Sequence, residues 1–134
     1  MIYLLDVNAL VALGFVNHEF HDRVASWLHA QDSPTLATCS ITELGFVRVL
    51  VQAPAYGFTI PQARTLLMRL KETSATRLRF MPDQHDVSHL PTWVRAAKQI
   101  TDGHLSRLAS ANGAVLATLD ENIPGSYLIA KTPS

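Results

Sequence analysis

Cysteine is nearly absent from this sequence: Cys39 is the only one in 134 residues. An intramolecular disulfide is therefore impossible, a four-thiolate zinc site is excluded by counting, and a reducing, cytoplasmic setting is expected. Excess charge is lacking too. Eleven Lys and Arg balance eleven Asp and Glu, so the molecule has no net field to draw in polyanions, and any contact with nucleic acid must come from a local patch. Nor is there a long apolar run. The stretch Ile2 to Val16 comes nearest, but Asp6 and Asn8 interrupt it and no Lys or Arg precedes Arg23. It falls short of the roughly 20 apolar residues that span a bilayer, so it reads as core and neither secretion nor membrane attachment is expected.

Repeats, low-complexity tracts and Gly/Ser linkers are missing as well, so residues 1–134 are read as one domain. What is present suits that reading. With 48% hydrophobic and 16% charged residues the chain resembles an ordinary globular protein. At this length it should bury about two-thirds of its unfolded surface. The cations are unevenly spread: Arg64, Arg69, Lys71, Arg77, Arg79, Arg95 and Lys98 make up most of the positive charge, which fits either a binding stripe or a solvated helix face.

Short apolar runs bounded by turn residues mark buried strands at Ile2 to Leu5, Thr35 to Cys39, Leu78 to Met81 and Ala114 to Leu119, with Tyr127 to Ala130 as a fifth. Helical periodicity falls between them, at His18 to Ala30, Ile41 to Val51, Ile60 to Thr73 and Thr101 to Asn112. Gly113 stands where a helix C-terminus favours glycine. The segment from Pro82 to Gln99 has no clear period. In the helix from Ile41, Leu44, Val47, Leu50 and Val51 share one face while Phe46 and Val49 make a second apolar side. Either a homodimer interface or complete enclosure within the monomer accounts for that. Strands alternating with helices predict a three-layer α/β/α sandwich around a parallel sheet of four to five strands, because each parallel return needs a crossover of about a dozen residues.

In such a fold the strand ends and helix starts gather on one edge of the sheet. Asp6 closes the first strand, Glu43 lies in the first turn of the helix after the second, Asp102 begins the helix before the fourth, and Asp120 follows that strand. Each has an innocent explanation. Ser40-Ile41-Thr42-Glu43 reads as a capping box, Asp6 and Asp102 as N-caps, and Asp120-Glu121-Asn122 as a polar turn. Those explanations do not account for acids, rather than Ser, Thr or Asn, at all four rim positions. Two carboxylates about 4 Å apart repel by on the order of 4 kcal/mol at an effective dielectric near 20, so the cluster calls for a cation. Oxygen donors without thiols or clustered imidazoles favour Mg2+ or Mn2+ over zinc.

Leu4-Leu5-Asp6-Val7-Asn8, Thr42-Glu43-Leu44, Thr101-Asp102-Gly103-His104-Leu105 and Ala117-Thr118-Leu119-Asp120 resemble, in order and spacing, the four signature segments of PIN domains. The likeness extends over nearly the whole chain. The stretch from Thr42 to Leu50 is similar to the VapC-type toxins of bacterial toxin-antitoxin pairs. The resemblance implies an endoribonuclease dependent on one or two Mg2+ or Mn2+ ions, usually a homodimer, silenced by a VapB-type antitoxin. It implies that Asp6, Glu43, Asp102 and Asp120 are the catalytic and metal-binding acids, with Asn8 and Thr118 supporting them. Gly103 departs from the family, where a helix-favouring residue such as Ala is more usual.

Other residues carry weaker signals. His18 and His21 are three apart and His29 follows, but zinc needs three or four placed ligands, and histidines near a helix start are ordinarily solvent-facing. His104, two residues after Asp102, faces either substrate or helix surface. Trp27 and Trp93 would suit base stacking, although such rings are commonly core. Alternative functions are a PIN-domain nuclease in RNA or DNA processing outside a toxin-antitoxin system, a PIN fold kept for protein contact, and a non-catalytic α/β binding domain such as a receiver. A receiver, by resemblance, has an early pair of adjacent acids and a Lys ending a late strand. Here Asp6 stands alone and Glu121 follows Asp120.

Overall fold

The apolar run Ile2–Leu5 forms strand β1 at the centre of a five-stranded sheet, where both faces are shielded and its lack of polar alternation costs nothing. A computed structural model of the protein describes residues 1–32, 34–73, 76 and 78–130; Arg77, counted above among the cations, lies outside them. Strands β2 (Thr35–Thr38), β3 (Arg79–Phe80), β4 (Ala114–Thr118) and β5 (Tyr127–Leu128) complete the sheet in the order β3-β2-β1-β4-β5. Every pairing is parallel, with Leu4 opposite Ala37 on one side and Leu116 on the other.

The helices are α1 (Val7–Gly14), α2 (His21–Ala30), α3 (Ser40–Gln52), α4 (Ile60–Glu72) and α5 (Ile100–Ala111). Alternation along the strands sorts their side chains between two cores. Tyr3, Leu5, Leu36 and Ala117 join Leu10, Val24, Phe46, Leu50 and Leu67 from α1 to α4. Leu4, Ala37 and Leu116 face Leu105, Leu108 and Ala109 of α5. The sandwich is thus α/β/α, as the alternation of elements predicts. Leu4, Leu5, Leu105 and Leu116 are all buried, and trimming any of them to Ala would cost about 2–5 kcal/mol. Among the described residues no helix is long and apolar enough to cross a membrane.

Boundaries shift where side chains compete with the backbone. Helix α2 starts at His21 rather than His18, because the Phe20 amide donates to His18 Nδ1 (3.0 Å) and holds that stretch as a turn. The segment after β3 contains two short 3-10 turns, Val87–His89 and Ala97–Gln99. Gly113 ends α5 with φ +68°, a conformation that suits glycine. Helix α3 is apolar on two sides, as its sequence suggests, but it is not enclosed. Phe46 and Leu50 are fully buried while Leu44 is 64% exposed, and beside it Val47, Val51, Ile60 and Met68 line an apolar groove of about 620 Å3 between α3 and α4.

Candidate active site

Because all strands are parallel, Asp6, Cys39 and Leu119 leave the sheet at the same edge. That edge is also where the strand order reverses between β1 and β4, the position at which open α/β sheets form their crevice. Asp6 is the N-cap of α1: its Oδ1 accepts the Ala9 amide at 2.8 Å. Its Oδ2 accepts the hydroxyl of Thr118, the last residue of β4, at 2.5 Å. Thr118 Oγ1 in turn accepts the Asp120 amide at 3.0 Å, so one buried hydroxyl links the backbone of one acid to the carboxylate of another.

Asp6 is only 6% exposed, and burial pushes its carboxyl up to about 6. The bonds from Thr118 and Ala9 oppose that rise, and the charges of Asp102 and Asp120 add to it. Asp102 is also raised, by burial first and then by Asp120. The three aspartates therefore feel one another's charge. Asp102 lies in the first turn of α5 but does not cap it, since the N-cap is Gln99. Among the described residues no hydrogen bond or ion pair engages its carboxylate. Asp120 does make the polar turn expected of it, its Oδ1 accepting the Asn122 amide at 2.8 Å. Asp102 and Asp120 line a cavity of about 250 Å3 together with Lys98 and Trp93.

Glu43 stands apart. The capping box at the start of α3 is displaced by one residue: the helix begins at Ser40, and Thr42 Oγ1 accepts the Cys39 amide at 2.9 Å. Glu43 is thereby released from capping. Its Oε2 accepts the buried Thr38 hydroxyl at 2.6 Å and pairs with Lys71 Nζ of α4 at 2.8 Å. Among the described residues no three His, Cys, Asp or Glu side chains converge closely enough to chelate an ion as they stand.

The supporting residues differ. Thr118 is central, whereas Asn8 is exposed on α1 and its side chain makes no hydrogen bond among the described residues. His104 turns to Asp83, a residue that sequence reasoning missed, with its Nε2 against the carboxylate. Burial works against ionisation of Asp83, but the His85 amide (2.9 Å) and His104 outweigh it and hold its carboxyl below the usual range. A signal was available: Asp83 follows β3 closely, as Asp6 and Asp120 follow their strands. Of the other histidines, His21 Nδ1 meets the Ala12 carbonyl at 2.7 Å. Trp27 belongs to the core, its indole donating to the Tyr127 hydroxyl at 3.0 Å.

Residues 3–125 match the PIN domain family model. The chain belongs to the PIN-domain family. Among curated PIN-domain proteins it is 38% identical over 125 residues to Ribonuclease VapC38 of Mycobacterium tuberculosis, covering 90% of this chain and 86% of that protein. It is 36% identical over 124 residues to Ribonuclease VapC29 of the same species, covering 92% and 89%. Of solved structures with the same fold, one is the toxin VapC20 of Mycobacterium tuberculosis, described as cleaving the sarcin-ricin loop. It superposes with a TM-score of 0.66 at 10% identity, covering 97% of this chain and 99% of that one. Another is VapBC2 of Rickettsia felis bound to a fragment of its promoter DNA, with a TM-score of 0.59 at 17% identity and coverage of 96% and 97%.

Proposed function

We propose that this PIN domain, extending over residues 1–134, is a divalent-metal-dependent endoribonuclease that acts as the toxin of a toxin-antitoxin pair. The observation that carries the chemistry is the coupling of Asp6, Asp102 and Asp120 at one sheet edge, with two of their carboxyls raised and no cation of the chain paired to any of them among the described residues. Carboxylate oxygens that disfavour one another's charge fit a hard divalent ion, Mg2+ or Mn2+, held in part through water. Such an ion supplies a more acidic bound water and neutralises charge on the phosphate.

The chain's own groups prepare that site. Thr118 fixes the Asp6 carboxylate and the Asp120 backbone relative to each other. Lys71 and Thr38 hold Glu43 at the rim, where its remaining carboxylate oxygen orients the attacking water. In the reaction the water gives up a proton to solvent as its oxygen bonds to phosphorus, the bond from phosphorus to the leaving ribose oxygen breaks, and that oxygen takes up a proton from solvent in return. An antitoxin of VapB type would place a basic side chain against the three aspartates, answering the same charge as the ion does. The apolar groove between α3 and α4 would be covered by a second copy of the chain, giving a homodimer.

The test is cleavage of total RNA by the purified protein. Discrete cuts are expected with Mg2+ or Mn2+, abolished by EDTA and restored by excess metal. Expression alone should arrest growth, and co-expression of the neighbouring reading frame should relieve the arrest. No cleavage under any metal, with normal growth, would overturn the assignment.

A further inference from the structure

Trp93 lines two clefts at once. One is the acidic cavity with Asp102, Asp120 and Lys98; the other is a cleft of about 490 Å3 bordered by Ser106, Arg107 and Ser110 of α5. The turn opposite Trp93 is also shared, with Asn122 and Ile123 on the first cavity and Pro124 and Gly125 on the second. Along α5, Asp102, Ser106 and Ser110 stand at i, i+4 and i+8, hence on one face over about 12 Å. The two clefts are consecutive parts of one track that leads away from the acids past an indole.

The sequence holds this indole in place by a glycine. A Cβ at Gly103 would overlap Val94 Cγ2 and press on Pro91 Cδ at 3.3 Å, so Gly103 lets the segment 91–94 seat directly on the first turn of α5. Trp93 is half-buried there and packs against the core beneath α5. A ring anchored in this way has little conformational entropy left to lose on stacking. Further along the track, Arg107 Nε donates to the His89 carbonyl at 3.1 Å, and among the described residues no bond engages its two terminal nitrogens. A fork of guanidinium donors is suited to a phosphate, and serine hydroxyls to a ribose.

We infer that this track is a nucleotide subsite for single-stranded RNA: the base next to the scissile phosphate stacks on Trp93, and the following phosphate meets Arg107. The inference deepens the ribonuclease reading and rests on it. It commits the enzyme to unpaired substrate at that position, because a base in a duplex has no face to offer an indole.

The experiment uses the full chain in EDTA and an eight-nucleotide single-stranded RNA carrying a terminal dye. Only two tryptophans are present and Trp27 is 6% exposed, so contact quenching of protein emission by the same RNA without its dye reports Trp93. Anisotropy should show Trp93→Ala binding about 5- to 150-fold more weakly, with Trp93→Phe close to wild type. With metal restored, Trp93→Ala should raise KM far more than it lowers kcat. An RNA of the same length lacking one base should bind wild type as weakly as intact RNA binds Trp93→Ala. Should Trp93→Ala fail to fold, Arg107→Ala serves instead, with a salt slope shallower by about one. Unchanged affinity and KM in Trp93→Ala, with cleavage intact, would overturn the subsite and leave the nuclease standing. A wild-type protein that neither binds nor cuts any RNA would overturn both.

Discussion

The acidic rim has two halves built on opposite electrostatic terms. Glu43 has its own cation, with Lys71 at 2.8 Å and the Thr38 hydroxyl at 2.6 Å both on Oε2, so its charge is balanced locally while its other oxygen stays open. Asp6, Asp102 and Asp120 have only hydroxyl and amide partners, or none, and burial and mutual repulsion raise the first two. Locally balanced charge makes Glu43 a component of the scaffold, available to orient a water. Unbalanced charge leaves the aspartates open to the external cation proposed above. The family likeness treats the four acids as one quartet; the geometry divides them, among the described residues, into three with no cation of the chain and one paired to Lys71.

The largest expected effect comes from breaking the needy half. Asp102→Asn should lower metal-dependent RNA cleavage by about 100-fold or more and weaken Mn2+ binding measured by calorimetry, with thermal unfolding unimpaired. Glu43→Gln should lose cleavage while keeping Mn2+ affinity near wild type; equal loss of affinity in both variants would erase the distinction between the halves. The next effect is on pH. Asp6 titrates near 6 in the folded chain against an ordinary value of 3.8, so between those values the folded state retains a proton that the unfolded state has lost. Stability of the metal-free protein should therefore fall as pH rises through that window, by up to about 3 kcal/mol, with nothing gained back above it. Asp6→Asn, which still caps α1, should flatten that profile in denaturant titrations and unfold later than wild type at pH 7.

Smaller changes sharpen the contrast. Gly103→Ala should cost about 1–3 kcal/mol by forcing Val94 and Pro91 off α5, despite the better helix propensity of alanine. A rise in melting temperature instead would show that the segment 91–94 yields freely. Lys71→Met should cost about 1–2 kcal/mol by leaving Glu43 with Thr38 alone, and it should tighten Mn2+ binding a few-fold as a fourth carboxylate joins the other three. Calorimetry alongside thermal denaturation checks both signs.

Much of this was legible in the sequence, for a physical reason. Strands such as Ile2–Leu5 and Ala114–Thr118 are buried on both faces and read as uninterrupted apolar runs, and once their parallel order is inferred, the residues that follow them must share an edge. The partners of those residues were not legible. Lys71 meets Glu43 across 28 positions and His104 meets Asp83 across 21, and no local period encodes either pairing. The capping box was displaced by one because Thr42 and Glu43 offer similar acceptors at neighbouring positions, and only the fold decides which of them the Cys39 amide meets. Gly103 was visible as an oddity, but its meaning lies in Val94, which belongs to a segment without periodicity.

The strand order has a consequence for synthesis. Of the five strands β1 is made first, yet it ends up between β2 and β4, and the edge that carries Asp6 is finished only when Thr118 and Asp120 arrive more than a hundred residues later. A nascent chain that stops short of β4 carries Asp6 and Glu43 but lacks the strand end against which Asp6 is set. The acidic edge is thus an all-or-none assembly: no fragment ending before β4 can present Asp6, Asp102 and Asp120 together, however well its first strands pair.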